Sequence, residues 1–580
     1  MTSGRRSVRP GRRPLGLLTA AALGAAATLT ALPAPASASA PVSMQATASA
    51  SGTTYYVDSR SGHDDASGTS VRAAWRSLER VGRTTFRPGD RILLKGGGSW
   101  KGQLWPKGSG EQNRPITIGR YGPGPKPRIR GEGQVDDAVR LFNQEYWEIR
   151  DLDVSNALPA TGTPGENLRD LRGIHVSGDD SRQLDHFVID RVDVHDVTGE
   201  VNWISGDTAG NAPGVRFKTG WDRSKKTGGI VFDTTVPDIT APPAAPTVLH
   251  DVRVQNSTVR NTSFAGIVVK QYTGDLKDAD GNPVAKPTGW GTRTSAADTT
   301  FTPHTNITIR NNHVSQGGTA YGCNAMYLTN VRGAVVDRNV VDQAGTSGIE
   351  AYYADDVVIQ RNEVYRTERK AGGADSNGID ADKGTTRVVI QYNFVHDNGD
   401  GILLCQFAFG DVVVRYNVLN GNSRYPLYLH SDKAASAEVY NNTVHNTSSK
   451  YLVYGYGSSL NARYNLHDNV FSSAVADATL TTSPTITYAR NFYGGAPLPV
   501  PATDTQARTG DPLFVNPAVS GPYGTPTTGP QLRTGLAFAP RPGSPLIDTG
   551  APTPDNGGRD YRGTPLYRGA PDVGAIEGPR

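Results

Sequence analysis

The sequence predicts an all-β protein built as a parallel β-helix, a solenoid of stacked coils. A six-residue element recurs between about residues 170 and 470: an apolar residue, two variable residues, Asn, one variable residue and a second apolar residue. Its later copies follow one another in steps of 27, 23, 31, 24, 25 and 27 residues. Such a period indicates stacked units that cannot bury their apolar faces alone. The surrounding runs are short, β-branched and alternating in polarity, so the units are strands.

The Asn of each element is expected to seal one corner of the coil. A buried Asn can donate a hydrogen bond to the copy on one side and accept one from the copy on the other. The recurring residues are Asn312, Asn339, Asn362, Asn393, Asn417, Asn442 and Asn469.

The first 40 residues are expected to be a secretory signal peptide. They contain five arginines, an apolar run from Leu15 to Leu32 and the small-residue site Ala36-Ser37-Ala38. Arg12-Arg13 leaves twin-arginine export open as a weaker alternative to general secretion. A membrane anchor is disfavoured because the run is short and a cleavage site follows it. Residues 41–52 are predicted to be a flexible leader, since Ala, Ser and Thr dominate them.

Removal of this leader changes the charge balance. The whole chain has 59 basic and 55 acidic residues, and five of the basic residues lie in the first 40, which hold no acid. The remainder carries a net charge of −1, so no general attraction to nucleic acid or membranes is expected. The two cysteines, Cys323 and Cys405, are predicted to lie three coils apart, at roughly 14 Å, which is too far for a disulfide.

The N-terminal part of the mature chain should open the solenoid. Thr54–Asp58 is typical of a strand, and the stretch Ala74–Leu78 favours the start of a short helix. Arg87–Lys95 is a turn followed by a strand. Pro115–Ile118 and Pro127–Ile129 are predicted to form the first full coil.

Stretches at both ends of the mature chain resemble one known group. They are Tyr55–Ser59, Phe86–Asp90, Gly108–Gly110, Pro115–Ile118, Gly510–Phe514, Ser544–Gly550 and Asp572–Glu577. The mature chain is similar over nearly its whole length to secreted bacterial β-helix proteins of the pectin-lyase-like superfamily. The resemblance implies one right-handed, single-stranded parallel β-helix over 53–580, with loop insertions and an irregular C-terminal region from about residue 480. It does not fix the reaction, because the superfamily includes lyases, hydrolases, epimerases and adhesive or capping proteins.

Two stretches break the period and are predicted to be inserts, at 199–250 and 272–305. Insertions in a solenoid form loops on one face, often the binding face. They hold Trp203, Trp221, Tyr272 and Trp290 among their aromatic residues. These rings either stack on sugars at the wall of a cleft or anchor their own loops, and the sequence favours neither.

A second recurring element, typically Gly-Ile followed by three residues, precedes each Asn element and predicts two outward-facing columns. Strand side chains alternate between faces, so residues between the inward positions project outward. The first predicted column holds His175, Val268, Tyr327, Glu350, Asp380, Leu403 and Tyr428. The second holds Ser177, Lys270, Thr329, Tyr352, Asp382, Cys405 and His430.

Three acids in these columns are the candidate catalytic residues. Glu350, Asp380 and Asp382 are predicted to form an acidic triangle on an exposed sheet face. Glycoside hydrolysis needs two carboxyl groups, one of them protonated, and crowding of like charges keeps a proton on one. The predicted substrate-binding residues around the triangle are Lys270, Tyr327, Tyr352, Tyr428 and His430. The alternative without chemistry is a solvated sheet face, which the alignment of acids with aromatics disfavours.

The sequence therefore predicts a secreted, monomeric enzyme that degrades a polysaccharide, most simply a glycoside hydrolase without metal or other cofactor. The first alternative is a lyase acting on a uronic-acid polymer, in which the acids hold Ca²⁺ and Lys270 is the base. The second is a non-catalytic carbohydrate-binding or surface protein. His195, His396 and His445 recur just after the second apolar position of a coil and are assigned to turn structure.

Overall fold

The computed structural model describes residues 52–158, 170–198, 227–235, 245–271, 295–297, 302–319, 322–370, 375–457 and 460–579. In these residues three parallel sheets run along a single solenoid. A complete coil supplies one strand to each sheet, as Thr386–Gln391, Phe394–His396 and Asp400–Cys405 do in succession. The predicted parallel β-helix is confirmed.

Sheet 1 has 14 strands in the described part of the chain. They are Thr54–Val57, Arg91–Lys95, Ile116–Tyr121, Trp147–Arg150, Gln183–Asp190, Val248–Gln255, His304–Arg310, Val331–Asp337, Asp355–Gln360, Thr386–Gln391, Asp411–Arg415, Ser436–Tyr440, Arg463–His467 and Ile486–Ala489.

Sheet 2 also has 14 described strands, which are shorter. They are Ser99–Lys101, Arg128–Arg130, Asp153–Ser155, Asp193–Val197, Thr258–Thr262, His313–Ser315, Val340–Asp342, Glu363–Tyr365, Phe394–His396, Val418–Asn420, Thr443–Asn446, Val470–Ser473, Phe492–Gly495 and Arg508–Gly510.

Sheet 3, which carries the candidate site, has 11 described strands. They are Asp137–Phe142, Arg172–Ser177, Gly228–Thr234, Phe264–Gln271, Gly322–Thr329, Ser347–Tyr352, Asn377–Ala381, Asp400–Cys405, Tyr425–His430, Tyr451–Gly455 and Thr479–Leu480.

Helical structure is short among the described residues. The α-helix Leu78–Gly82 begins where the sequence predicts, because Ser77 Oγ accepts a hydrogen bond from the backbone N–H of Arg80 at 3.1 Å and caps it. Two 3₁₀ helices span Val71–Ala73 and Leu532–Phe538. In the described part of the chain, no helix is long and apolar enough to cross a membrane.

The inward residues of the three sheets form one continuous core. In the strands of the candidate site, Ile349, Ala351, Ile379 and Ala381 are fully buried in that core. Complete burial of a large aliphatic side chain contributes about 1.5–3 kcal/mol, so each added coil stabilises its neighbours. The acids that alternate with these residues must therefore point away from the core.

The predicted Asn ladder is confirmed at the corner between sheets 1 and 2. Asn393 is typical: its Nδ2 donates to Asn417 Oδ1 and to the backbone carbonyl of Ile359, both at 2.9 Å. Its Oδ1 accepts from the backbone N–H and the Nδ2 of Asn362, at 2.9 and 3.0 Å. The ladder continues to Asn491 and ends on Asp504, whose Oδ2 accepts from Asn491 Nδ2 at 3.0 Å.

The residue before a ladder Asn adopts the left-handed backbone region. Tyr392 has a φ of 59° and Tyr416 a φ of 49°. This conformation is unfavourable for residues with a Cβ, and the hydrogen bonds of the adjacent Asn compensate for it. The corner thus depends on the Asn, which explains why the element recurs so regularly.

One coil lies where an insert was predicted. Gly228–Thr234, inside the predicted insert at 199–250, is a strand of sheet 3, with Ile230 in register with Ile174 on one side and Ile267 on the other. Because the Asn element that marks other coils does not follow this strand, the sequence repeat did not reveal the strand. Trp203, Trp221, Tyr272 and Trp290 lie outside the described residues.

The regular coils also extend beyond residue 480, where an irregular region was predicted. Sheet 1 continues to Ala489 and sheet 2 to Gly510. The segment after Gly510 returns along sheet 2, where Phe514 and Phe538 form one apolar cluster with Phe394 and Phe492 of that sheet. This segment covers part of the outer face of sheet 2.

Candidate active site

The register of sheet 3 contains the predicted columns, with one additional coil. Tyr327 pairs with Glu350, Glu350 with Asp380, and Asp380 with Leu403, which pairs in turn with Tyr428. The additional strand places Val231 between His175 and Val268 and puts Asp233 beside Lys270. Neighbouring coils in such a sheet are about 4.8 Å apart. Glu350 and Asp380 are therefore adjacent carboxyl groups on the same face.

The expectation of an exposed acidic triangle is wrong. Glu350 is 1% exposed and Asp380 is 3% exposed, whereas Asp382 is half-buried. Thr346 and Asp375, which precede strands of sheet 3, line one cavity together with these acids. The acids thus lie in the wall of a partly open cavity and not on an open sheet face.

The cavity has a volume of about 200 Å³. Its lining residues are Thr346, Glu350, Tyr352, Asp375, Asp380, Asp382, Lys383 and Gln406. Sequence reasoning missed Asp375, because this residue precedes its strand and takes no part in the alternation that revealed the other acids. The side chain of Asp375 is 31% exposed, and one of its oxygens lies 3.4 Å from a guanidinium nitrogen of Arg424.

Asp380 is the carboxyl group most prone to hold a proton. Its Oδ2 accepts hydrogen bonds from Asn377 Nδ2 at 3.1 Å and from Ser347 Oγ at 3.4 Å. Its buried Oδ1 has no hydrogen-bond partner among the described residues. Burial, followed by the charges of Asp382, Glu350 and Asp375, raises the pKa of Asp380 well above its ordinary value.

The other two predicted acids are held in place from different sides. Glu350 Oε2 accepts a short hydrogen bond from Asn324 Nδ2, on the preceding coil. Asp382 Oδ1 accepts from the backbone N–H of Lys383 at 2.6 Å, and the backbone N–H of Asp382 donates to Ala351 at 2.9 Å. The strand end therefore fixes Asp382 at the side of the cavity, directly above the coil of Glu350.

The predicted substrate-binding residues divide into two groups. Tyr352 lines the cavity, and the Tyr327 ring packs beside it with centroids 6.1 Å apart. Tyr428 and His430 lie two coils beyond Asp380 and outside the cavity lining. Lys270 is 2% exposed, lies on the coil before Tyr327 and does not line the cavity.

The cysteines agree with their predicted separation. Three coil steps separate the strands of Cys323 and Cys405, and the two residues form no disulfide with each other. Cys405 Sγ lies 3.4 Å from His430 Nδ1. Burial raises the pKa of the Cys405 thiol, and the Asp382 and Asp380 charges raise it further, so this thiol is poorly suited to act as a nucleophile.

A larger cleft of about 540 Å³ on sheet 1 also contains acids but has different electrostatics. There His186 bridges Asp251 and Glu148, at 2.8 and 3.4 Å. The hydrogen bond to His186 is the main reason that the pKa of Glu148 is lowered, and Arg150 lowers it further. The hydrogen bond to Glu148, followed by that to Asp251, raises the pKa of His186, so the proton of this cleft is held by the imidazole. The sheet 3 cavity instead brings together two carboxyl groups, one of which has a raised pKa, and this suits acid–base chemistry by carboxyl groups.

Comparison with known proteins agrees with this architecture. The family described as right handed beta helix region matches residues 248–444. The chain is 25% identical over 618 aligned positions to a lacto-N-biosidase of Bifidobacterium longum subsp. longum, covering 91% of this chain. The alignment spans only 36% of the length of that relative.

Solved structures share the fold. The crystal structure of the selenomethionine derivative of the GH136 lacto-N-biosidase from Eubacterium ramulus superposes with a TM-score of 0.53 at 21% identity, covering 71% of this chain and 67% of that one. The native form of the same enzyme gives a TM-score of 0.51 at 22% identity, covering 71% and 66%. The chain therefore folds as a right-handed parallel β-helix, as these structures do.

Proposed function

We propose that this protein is a secreted, monomeric glycoside hydrolase that cleaves an oligosaccharide or polysaccharide in the sheet 3 cavity without a metal or other cofactor. The observation that carries the proposal is a partly open cavity that Asp380, whose pKa is raised by burial and neighbouring charges, shares with Asp382. A protonated carboxyl group next to an ionised one is what glycoside hydrolysis requires. The similarity to a lacto-N-biosidase supports the same reaction class.

Exposure distinguishes the acids that contact the substrate. Asp382 and Asp375 reach the open part of the cavity, whereas Asp380 and Glu350 lie beneath them. We assign the Asp382 carboxylate to the attack on the anomeric carbon, or to the activation of water that attacks it. The proton for the leaving oxygen comes from Asp380, whose pKa is raised by burial and by the charges of Asp382, Glu350 and Asp375, and Asp375 lines the same cavity.

Glu350 has a different part in this proposal. It is 1% exposed, and its charge is one of the contributions that raise the pKa of Asp380. From this buried position its charge favours a proton on Asp380, and we propose no contact between Glu350 and the sugar. We therefore regard Glu350 as a positioning residue.

The charge of the cavity limits the class of substrate. Four carboxyl groups line it, and the lining cation Lys383 is exposed at its edge. A uronic-acid polymer would bring further negative charge to this site, and such like-charge contacts are costly in a partly dry cavity. Lys270, the predicted base of a lyase, lies away from the cavity. We therefore propose a neutral or acetamido sugar, as in the substrate class named by the relative.

The proposal is tested with purified protein on p-nitrophenyl lacto-N-bioside and on a panel of neutral and uronic-acid polysaccharides. We expect new reducing ends and no ultraviolet absorbance from unsaturated products. An unsaturated product would show a lyase. Retention on an immobilised glycan without reducing ends would show a binding protein.

A further inference from the structure

Five tyrosines cover sheet 3 on the two coils that follow the acidic cavity. We call this surface the tyrosine platform, and it consists of Tyr425, Tyr428, Tyr451, Tyr454 and Tyr456. Tyr428 pairs with Leu403 and Tyr454 with Tyr428, so both continue the column that contains Asp380. The platform thus begins where the acidic cavity ends.

The rings of the platform hold one another in fixed orientations. Tyr425 and Tyr454 stack with centroids 3.9 Å apart and an interplanar angle of 7°. Tyr451 lies 5.0 Å from Tyr454, and Tyr428 lies 5.0 Å from Tyr425. The guanidinium of Arg424 lies 5.0 Å from the ring centre of Tyr425 and is anchored by Asp400. Rings that are ordered before binding lose little entropy when a ligand arrives.

Packing of the core does not require these rings. The inward residues of the same strands, Leu427, Leu429 and Val453, already belong to the core. Tyr456 is 52% exposed, and Tyr425, Tyr451 and Tyr454 are half-buried. Tyr428 is only 6% exposed and packs among the other rings, so the accessible aromatic surface and hydroxyl groups on the face that holds the acids belong to the other four tyrosines.

We infer that the tyrosine platform binds the part of a neutral carbohydrate chain that extends beyond the cleaved bond. This inference rests on the proposed function. Pyranose rings have apolar C–H faces that pack on aromatic rings, and their hydroxyls pair with phenol groups. Tyr428 and Tyr454 lie two and three coils from Asp380, at roughly 10 and 14 Å, which is the span of a few sugar rings. Continuity with the acidic cavity selects a carbohydrate chain over another occupant.

The test compares a short and a long substrate that share the same cleaved unit. The short one is an aryl glycoside, and the long one is an oligosaccharide with several neutral sugars after the scissile bond. For Tyr454→Ala and Tyr456→Ala we expect kcat/KM on the long substrate to fall by about tenfold through KM, since 1.4 kcal/mol is tenfold. The loss on the aryl glycoside should be several times smaller. Tyr454→Phe should retain most of the affinity because the ring remains.

Tyr146→Ala is the matched control, since Tyr146 is a half-buried tyrosine stacked on His186 at 6.0 Å at the sheet 1 cleft. This variant should leave kcat/KM unchanged on both substrates. If kcat/KM falls equally on both substrates, or does not fall on the long one, the inference that the platform binds the extended chain is wrong. A dimer that dissociates on Tyr456→Ala, seen by light scattering, would assign the surface to a second copy instead.

If the wild-type protein cleaves neither substrate, the proposed function is wrong. A binding experiment then tests separately whether the tyrosine platform binds carbohydrate. Affinity electrophoresis through gels containing soluble neutral polysaccharides then measures retardation. Retardation that Tyr454→Ala abolishes would uphold the platform as a carbohydrate surface. Equal mobility of wild type and variant in every gel would contradict carbohydrate binding by the platform.

Discussion

Glu350 and Asp380 occupy paired positions on adjacent coils of sheet 3, and both side chains are almost completely buried, at 1% and 3% exposure. Carboxyl groups on neighbouring strands, which are about 4.8 Å apart, repel when both are ionised, and burial strengthens the repulsion. Burial and the charges of Asp382, Glu350 and Asp375 raise the pKa of Asp380 well above its ordinary value.

The first prediction separates the roles of the acids. Asp382→Asn should lower kcat by at least about 10³-fold on every substrate, because the attacking or activating carboxylate is lost. Asp375→Asn and Asp380→Asn should lose about 10²–10⁴-fold on natural glycosides but far less on an aryl glycoside whose leaving group needs no proton. Steady-state kinetics on both substrates measures the difference. Full activity of Asp382→Asn would remove it from the mechanism.

The second prediction concerns the influence of Glu350 on the pH profile. Glu350→Gln removes a charge that raises the pKa of Asp380, so the basic limb of the kcat/KM profile should move to lower pH. A purely structural role would lower the melting temperature and leave the shape of the profile intact. Profiles of wild type and variant, each checked for thermal stability, distinguish the two. An unshifted basic limb contradicts the positioning role.

The third prediction is a pH-dependent stability difference at Asp380. The pKa of Asp380 is raised on folding, so its contribution to stability is complete below the ordinary value of 3.8 and is lost as pH rises through the folded pKa. Asp380→Asn cannot ionise and does not suffer this loss. The difference in melting temperature between Asp380→Asn and wild type should therefore shift in favour of the variant as pH rises from acid to neutral.

Asp137→Asn provides the control of opposite sign. Burial alone would raise the pKa of Asp137, but the charges and hydrogen bonds of His175 and Arg172 outweigh burial and lower it. Its stabilisation is present above the ordinary pKa and is lost as pH falls. Asp137→Asn should thus be destabilised near neutral pH and approach wild type in acid. Parallel curves for the two variants would contradict both assignments.

The fourth prediction tests the Asn ladder. Asn393→Ala removes four hydrogen bonds and leaves the buried carbonyl of Ile359 and the N–H of Asn362 without their partners. Each such group costs about 1–3 kcal/mol, so the free energy of unfolding should fall by about 3 kcal/mol or more. Chemical denaturation measures it. The exposed Asn516→Ala should stay within about 0.5 kcal/mol of wild type. Equal losses of unfolding free energy in the two variants would contradict a stabilising role for the ladder.

The fifth prediction concerns the C-terminal segment on sheet 2. Glu363 is fully buried and accepts hydrogen bonds from the backbone N–H of Gly524 at 3.0 Å and from that of Gln531. Glu363→Ala leaves these donors unsatisfied and should cost about 3–5 kcal/mol. We expect faster cleavage between residues 511 and 540 in limited proteolysis. The exposed Glu111→Ala should give the wild-type digestion pattern.

The parts of the structure that were predictable have local signatures. The ladder was found because its Asn residues each lie in one six-residue element, and the columns were found because strand alternation needs only neighbouring residues. The strand Gly228–Thr234 escaped because it lacks the Asn element. Asp375 was not predicted because it lies in a connecting segment. Most of the tyrosine platform was not predicted because it belongs to a coil without the Gly-Ile start.

By itself, the sequence determined the coil repeat, the ladder, and which side of sheet 3 carries the acids. These depend on period and alternation, which are properties of consecutive residues. Only the tertiary structure decided that Glu350 and Asp380 are buried, that Asp375 joins them, and that the pKa of Asp380 is raised. The physical reason is that desolvation and charge repulsion act through space between coils, and no local pattern records how segments from different coils close over one another.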